Sequence, residues 1–342
     1  MENAGVPAWR KEEFVERSER IFREEFEGFL PREIVDFHVH VFGEETCGGE
    51  PLNSAGNALW TYETNDFEQD VKALLPGCKV KAVCFGLPEP KYDWKRNNEY
   101  VASIAGESFV GLRLFNPKED TPEGLRADLA KGRFRGLKPY PDFARASSPS
   151  KATIAEMLPE WCMEIANELE LVIMLHIPRK GRLADESNLE WIEKNAIAYP
   201  NAAIVVAHIG RAYFLKNVVG NLDRLAPFEN VYIDIAMLNN WEVLEYAFTH
   251  FPQGRVLYGS DAPIAFAEGK SVEINDQYTY VTPLPWELSI CDTTGRVQYT
   301  SFMYEELRAV RKATARAGKG DAFVEGLFGG NAERLLANRR HQ

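Results

Sequence analysis

Eight short apolar runs constrain the fold of this chain more than any other feature. They are IVDFHVHVF (34–42), KAVCFGL (81–87), FVGLRLFNP (109–117), RGLKPYP (135–141), LVIMLHI (171–177), AAIVVAHI (202–209), VYIDIAM (231–237) and RVLYGSDAP (255–263). Their β-branched and aromatic content and near-continuous apolar character read as strands buried on both faces. The stretches between them, such as 154–169 and 187–198, carry helical patterning. Eight such α/β units predict a closed (β/α)8 TIM barrel rather than an open doubly wound sheet. No GxGxxG or Walker loop is present, which removes the usual nucleotide-binding folds.

The 342 residues divide into an N-terminal helical extension, 1–33, and a barrel domain, 34–342. The extension carries Phe14, Ile21, Phe22, Phe26 and Phe29 among charges, the pattern of an amphipathic helix over 8–30. Segment 323–337 reads as a closing helix. A net charge of −12 argues against nucleic acid or an anionic membrane as partner. A local arginine cluster could still take a small anion. No apolar run approaches the roughly 18 residues of a membrane span, and MENAGVPAWRKEEF lacks the apolar core of a secretory signal. Cys47, Cys78, Cys84, Cys162 and Cys291 are scattered, make no CxxC, and read as reduced thiols of a cytoplasmic protein. The expected partner is a small-molecule substrate, with a homodimer compatible with the sequence.

Histidines are placed with unusual economy. Of six, His38, His40, His176 and His208 close apolar runs, and Asp261 follows another. In a barrel all five reach the C-terminal rim, where active sites form. One strand-end histidine is ordinarily a satisfied core residue; four plus an aspartate are not explained that way. A strand's period of two puts His38 and His40 on one side, with Asp36 sharing their parity. Three imidazoles and a carboxylate can hold a divalent ion and leave a position for water. Asp261 could take that water's proton. His250 and His341 lie away from strand ends and read as ordinary residues.

Two long connections follow strands 1 and 8. Residues 43–65 and 264–299, the latter with Tyr278, Tyr280, Trp286 and Tyr299, are expected to project from the active face as lids. The alternatives are decoration or a subunit contact. Trp60, Trp94 and Trp286 line a pocket or pack the core.

VDFHVH, the AHIG around His208, the YGSDAP around Asp261 and the terminal GNAERLL resemble the amidohydrolase superfamily. Within it they resemble the amidohydrolase-related branch, which holds metal-dependent hydrolases and decarboxylases of the aminocarboxymuconate semialdehyde type. The resemblance spans about 34–337. It implies one divalent metal, usually zinc, on His38, His40, His176 and Asp261, with His208 in acid/base or electrophilic work. Lys138 sits where binuclear relatives carry a carboxylated lysine bridging two ions. There His176 and His208 would bind the second ion. Lys138 could instead bind a substrate carboxylate or extend its ammonium to water. Arg113, Arg179 and Arg211 are candidates to clamp an anionic substrate, or are solvated. Asp36 and Asp234 could orient ligands from behind. The expected function is hydrolysis of a small anionic metabolite by a metal-activated water. The alternative is non-oxidative decarboxylation of an unsaturated or aromatic acid. A third reading is an inactive binding barrel.

Overall fold

The computed structural model describes residues 5–144 and 148–337; His341 lies outside them. Eight parallel strands run β1 (Glu33–His40), β2 (Lys79–Phe85), β3 (Phe109–Phe115), β4 (Phe134–Pro139), β5 (Val172–Leu175), β6 (Ala203–Val206), β7 (Val231–Asp234) and β8 (Val256–Leu257). They pair in that order in one sheet. The chain beyond β8 closes the ring against β1: Phe37 N donates to Tyr258 O, Asp261 N to His38 O and His40 N to Ala262 O, at 2.8–2.9 Å. The fold is the TIM barrel.

Alternation within the strands sorts the core into two layers. Val83, Phe85, Val110, Leu112, Val172, Met174, Ala203, Val205 and Leu257 pack together inside the barrel. Their sequence neighbours, such as Leu137, Ile173, Ile204 and Ile233, pack outward against the helices. In β1 the alternation is interrupted. Asp36 pairs with Ala82, yet Val39 pairs with Cys84, so one extra residue is accommodated between them. Val35 and Phe37 therefore belong to the inner layer, while Ile34, Val39 and Val41 belong to the outer one. The bulge turns His38 and His40 into the barrel mouth.

Several helices on the outside start at polar caps. Asp93 accepts from the amides of Lys95 and Arg96 to open α1 (Trp94–Ile104), and Thr121 accepts from Gly124 to open α2 (Pro122–Leu129). The helix expected over 154–169 is two pieces. Ile154–Met157 ends before Pro159, and α3 (Glu160–Glu168) begins after it, because proline lacks the amide a continuous helix needs. The expected helix at 187–198 is α4 (Glu186–Ala198).

The N-terminal segment is a helix at Glu12–Ile21 continued by a wider turn at Phe22–Phe26. Trp9, Phe14, Phe22 and Phe26 join the outer core layer. Trp9 Nε1 and Arg10 Nε both donate to Asp70, at 3.0 and 2.6 Å. The segment is thus welded to the barrel by apolar burial and a paired buried carboxylate. The 43–65 connection forms a short hairpin, Leu52–Ser54 with Asn57–Leu59. The 264–299 connection forms a three-stranded sheet from Lys270–Glu273, Tyr278–Thr282 and Ser289–Cys291. Among the described residues no helix is long and apolar enough to cross a membrane.

Candidate metal centre

The ends of β1, β7 and β8 bring a compact donor set together. His38 Nε2 and His40 Nε2 lie 3.4 and 3.2 Å from Asp261 Oδ1. The far side of each ring is tied back. His38 Nδ1 is 2.9 Å from Asp234 Oδ2, and His40 Nδ1 is 2.9 Å from Gly86 O. A carbonyl or carboxylate can only accept, so Nδ1 carries the proton in both rings. Both Nε2 lone pairs then face Asp261, which is the tautomer a metal requires. By the chemistry of its donors the set fits a divalent ion.

Local backbone makes this convergence possible. Gly259 passes so close to His38 that a side chain there would lie 2.7 Å from His38 Cβ. Asn97 of α1 fills the space a side chain on Gly86 would need, and bonds Val41 O and Leu87 N. Asp261 (φ +73°) and the run His208, Ile209, Gly210, Arg211 (φ +49° to +62°) adopt left-handed backbone. Such conformations cost roughly 1–3 kcal/mol at a non-glycine residue and persist only where packing imposes them.

Asp234 ties two histidines with one carboxylate. Its Oδ2 faces His38, and its Oδ1 accepts from His208 N at 2.7 Å. His208 Nδ1 donates to Ala236 O at 2.9 Å, leaving its Nε2 without a proton. Burial, then the neighbouring His38, lowers the His208 pKa to about 4, so the ring is neutral. The His38 and His208 ring centres are 4.7 Å apart. His176 stands 5.2 Å from His208 and 4.4 Å from Tyr140, ring to ring. It faces the same cavity but is not within the tight cluster of His38, His40 and Asp261. Asp36 differs from its expected parity. It accepts from the amides of His38 and Ser260, so it holds the two strand ends rather than an imidazole.

The cavity over this centre measures about 210 Å³. Tyr140, His176 and His208 form its walls; Leu52–Ser54 and Trp286–Leu288 roof it. Both long connections therefore reach the mouth. Trp94 packs with Leu114 and Phe143, away from the pocket, and Trp60 is exposed. His250 is on the surface, stacked on Tyr246.

Two substrate candidates, Lys138 and Arg113, do not line this cavity. Lys138 is wholly buried, 3.3 Å from His38 Nε2 and 4.3 Å from the Phe85 ring centre, and does not line the cavity. Burial lowers its pKa to about 8. No substrate group can lie between it and His38. Arg113 has outward parity on β3 and is closed by Asp120 at 2.7 Å and Asp128 at 2.9 Å. Removing one partner of a buried ion pair costs roughly 3–5 kcal/mol. Arg113→Met is thus expected to lower the melting temperature sharply while leaving KM unchanged in the surviving folded fraction. A raised KM with unchanged melting would restore it to the site. Arg179, paired with Asp185, and Arg211 line a neighbouring cavity. Sequence reasoning missed Arg182 there; its only signal was its place in the loop after β5.

The amidohydrolase family model matches residues 35–337. No curated protein matches the sequence significantly. Among solved structures, an amidohydrolase from Burkholderia multivorans with bound zinc aligns at TM-score 0.60 and 14% identity, over 89% of this chain and 99% of that one. A candidate 2-pyrone-4,6-dicarboxylic acid hydrolase from Pseudomonas putida aligns at 0.55 and 16%, over 90% and 99%. A 5-carboxyvanillate decarboxylase from Sphingomonas paucimobilis aligns at 0.52 and 12%, over 90% and 99%. With its family match running nearly the length of the barrel, this chain belongs to the amidohydrolase family.

Proposed function

We propose that this protein is a metal-dependent hydrolase of a small acid. The observation that carries the reading is the donor set: two Nε2 lone pairs converging on Asp261, with both Nδ1 atoms tied back. His38, His40 and Asp261 would hold the ion, with His176 facing the same cavity as a fourth donor. Imidazole and carboxylate donors suit zinc. When bound, such an ion polarises a substrate oxygen and supplies a nucleophilic water at neutral pH.

The chain's own residues supply the rest. His208, neutral and with a free Nε2, can hold a proton at that atom as the bond breaks. Asp234 fixes His38 and the backbone of His208 in one arrangement. Leu52 and Trp286 in the roof place apolar surface over the reacting group. The cavity admits only a small reacting group.

The aromatic side chains Tyr140 and Trp286 also suit a flat aromatic acid, which favours decarboxylation as the second reading. Lactones, amides and phenolic acids turned over in oxygen-18 water separate the two. Heavy oxygen in the product without carbon dioxide is expected. Carbon dioxide release at the rate of substrate loss would replace hydrolysis by decarboxylation.

A further inference from the structure

A second cavity, of about 640 Å³, adjoins the first and shares Tyr140 and His176 with it. Its cations come from the loop after β5 and the turn after β6: Arg179, Lys180, Arg182 and Arg211. Arg179 is neutralised by Asp185 at 2.9 Å, and Lys180 is exposed. Arg182 and Arg211 make no ion pair among the described residues. Among the described residues Arg211 reaches only the carbonyl of Ile177, at 3.4 Å. Arg182 stands over Tyr278, its Cζ 4.2 Å from the ring centre, with Tyr213 at 5.7 Å. Among the described residues its buried Nε finds no hydrogen-bond partner.

That arrangement is costly. A buried guanidinium nitrogen left unpaired forfeits the hydrogen bonds it made in water. Two acids share the cavity. Asp276 is paired with Lys216 at 3.0 Å, so among the described lining residues Asp142 is the one acid without an ion pair. The net local charge is positive in a chain whose total is −12. The aromatic platform is also continuous with the first cavity. Tyr213 stacks on Tyr278, Tyr278 meets Tyr280, and Tyr280 meets Trp286 in the roof.

We infer that this second cavity is an anion subsite in which Arg182 and Arg211 receive a carboxylate or phosphate of the substrate, remote from the bond that breaks. The inference rests on reading the first cavity as the reaction site. It narrows the substrate to an acid with two separate ends. One end enters between His40 and His208; the other, fully ionised, is held past His176 and Tyr140. Arginine's planar fork suits either anion.

Calorimetric titration of the full chain as purified, with glutarate and with inorganic phosphate as probes, tests it and separates the two anions. At least one is expected to bind. Arg182→Gln and Arg211→Gln should each weaken that probe about tenfold to a hundredfold, the range for charge-assisted bonds. Binding should persist in a His38→Ala, His40→Ala variant, which places it outside the metal centre. If thermal melting shows that Arg182→Gln does not fold, Arg182→Lys replaces it. That variant keeps the charge and loses the fork, so weaker binding carries the same meaning. Binding of neither probe, or binding unchanged by the arginine variants, would overturn the subsite. Failure of hydrolysis with intact, arginine-dependent binding would overturn only the reaction assigned to the first cavity.

Discussion

A His38→Ala, His40→Ala variant is expected to emerge from chelator-free purification with no bound metal, where the unaltered chain carries about one equivalent. The two imidazoles supply two of the three donors in the tight cluster, and both are pre-set in the required tautomer by Asp234 and Gly86. Neither Asp261 nor His176 can replace them, because each is fixed on a different strand end. Loss of a single outer-shell orienter already costs about 10–100-fold in affinity, so loss of two donors should abolish retention and turnover together. Elemental analysis of both proteins checks the outcome. Unchanged metal content in the double variant would sink the centre. Two equivalents in the unaltered chain would favour a bridging carboxylated Lys138, whose amine sits 3.3 Å from His38.

His208→Asn should act differently: turnover falls by roughly two to four decades, the range for a lost acid/base group, while metal content holds. Asparagine is the fitting replacement. It tolerates the left-handed backbone that residue 208 adopts, at φ +56°. Its amide can also donate to Ala236 O as the histidine does. The variant therefore removes the free Nε2 and little else. Steady-state kinetics with elemental analysis on the same preparation give the result. Metal lost along with activity would make His208 a ligand instead of a proton carrier.

Much of this was legible because barrels write themselves into sequence as repeated short apolar runs. Buried parallel strands need apolar residues on both faces, so the eight runs stand out. The histidines are legible for the same reason: a polar residue ending such a run has few bland explanations. What failed was anything depending on register. Asp36 was grouped with His38 and His40 by parity. One extra residue in β1 separates them, and a bulge leaves no compositional mark. Arg113 carries a charge near a strand end, but its parity points outward, where Asp120 and Asp128 neutralise it. Arg182 was invisible because its meaning lies in Tyr278, nearly a hundred residues away in sequence and 4.2 Å away in space. The break at Pro159 was readable from the proline itself.

The single carboxylate of Asp234 has a bearing on how such a protein can diverge. It grips His38 through one oxygen and the backbone of His208 through the other, so the chemistry is inherited as one indivisible block. A change at Asp234 disturbs both histidines at once. The arginines and tyrosines of the second cavity sit on separate loops. With the second cavity read as an anion subsite, editing its loops exchanges one acid for another and leaves the strand-end donors in place.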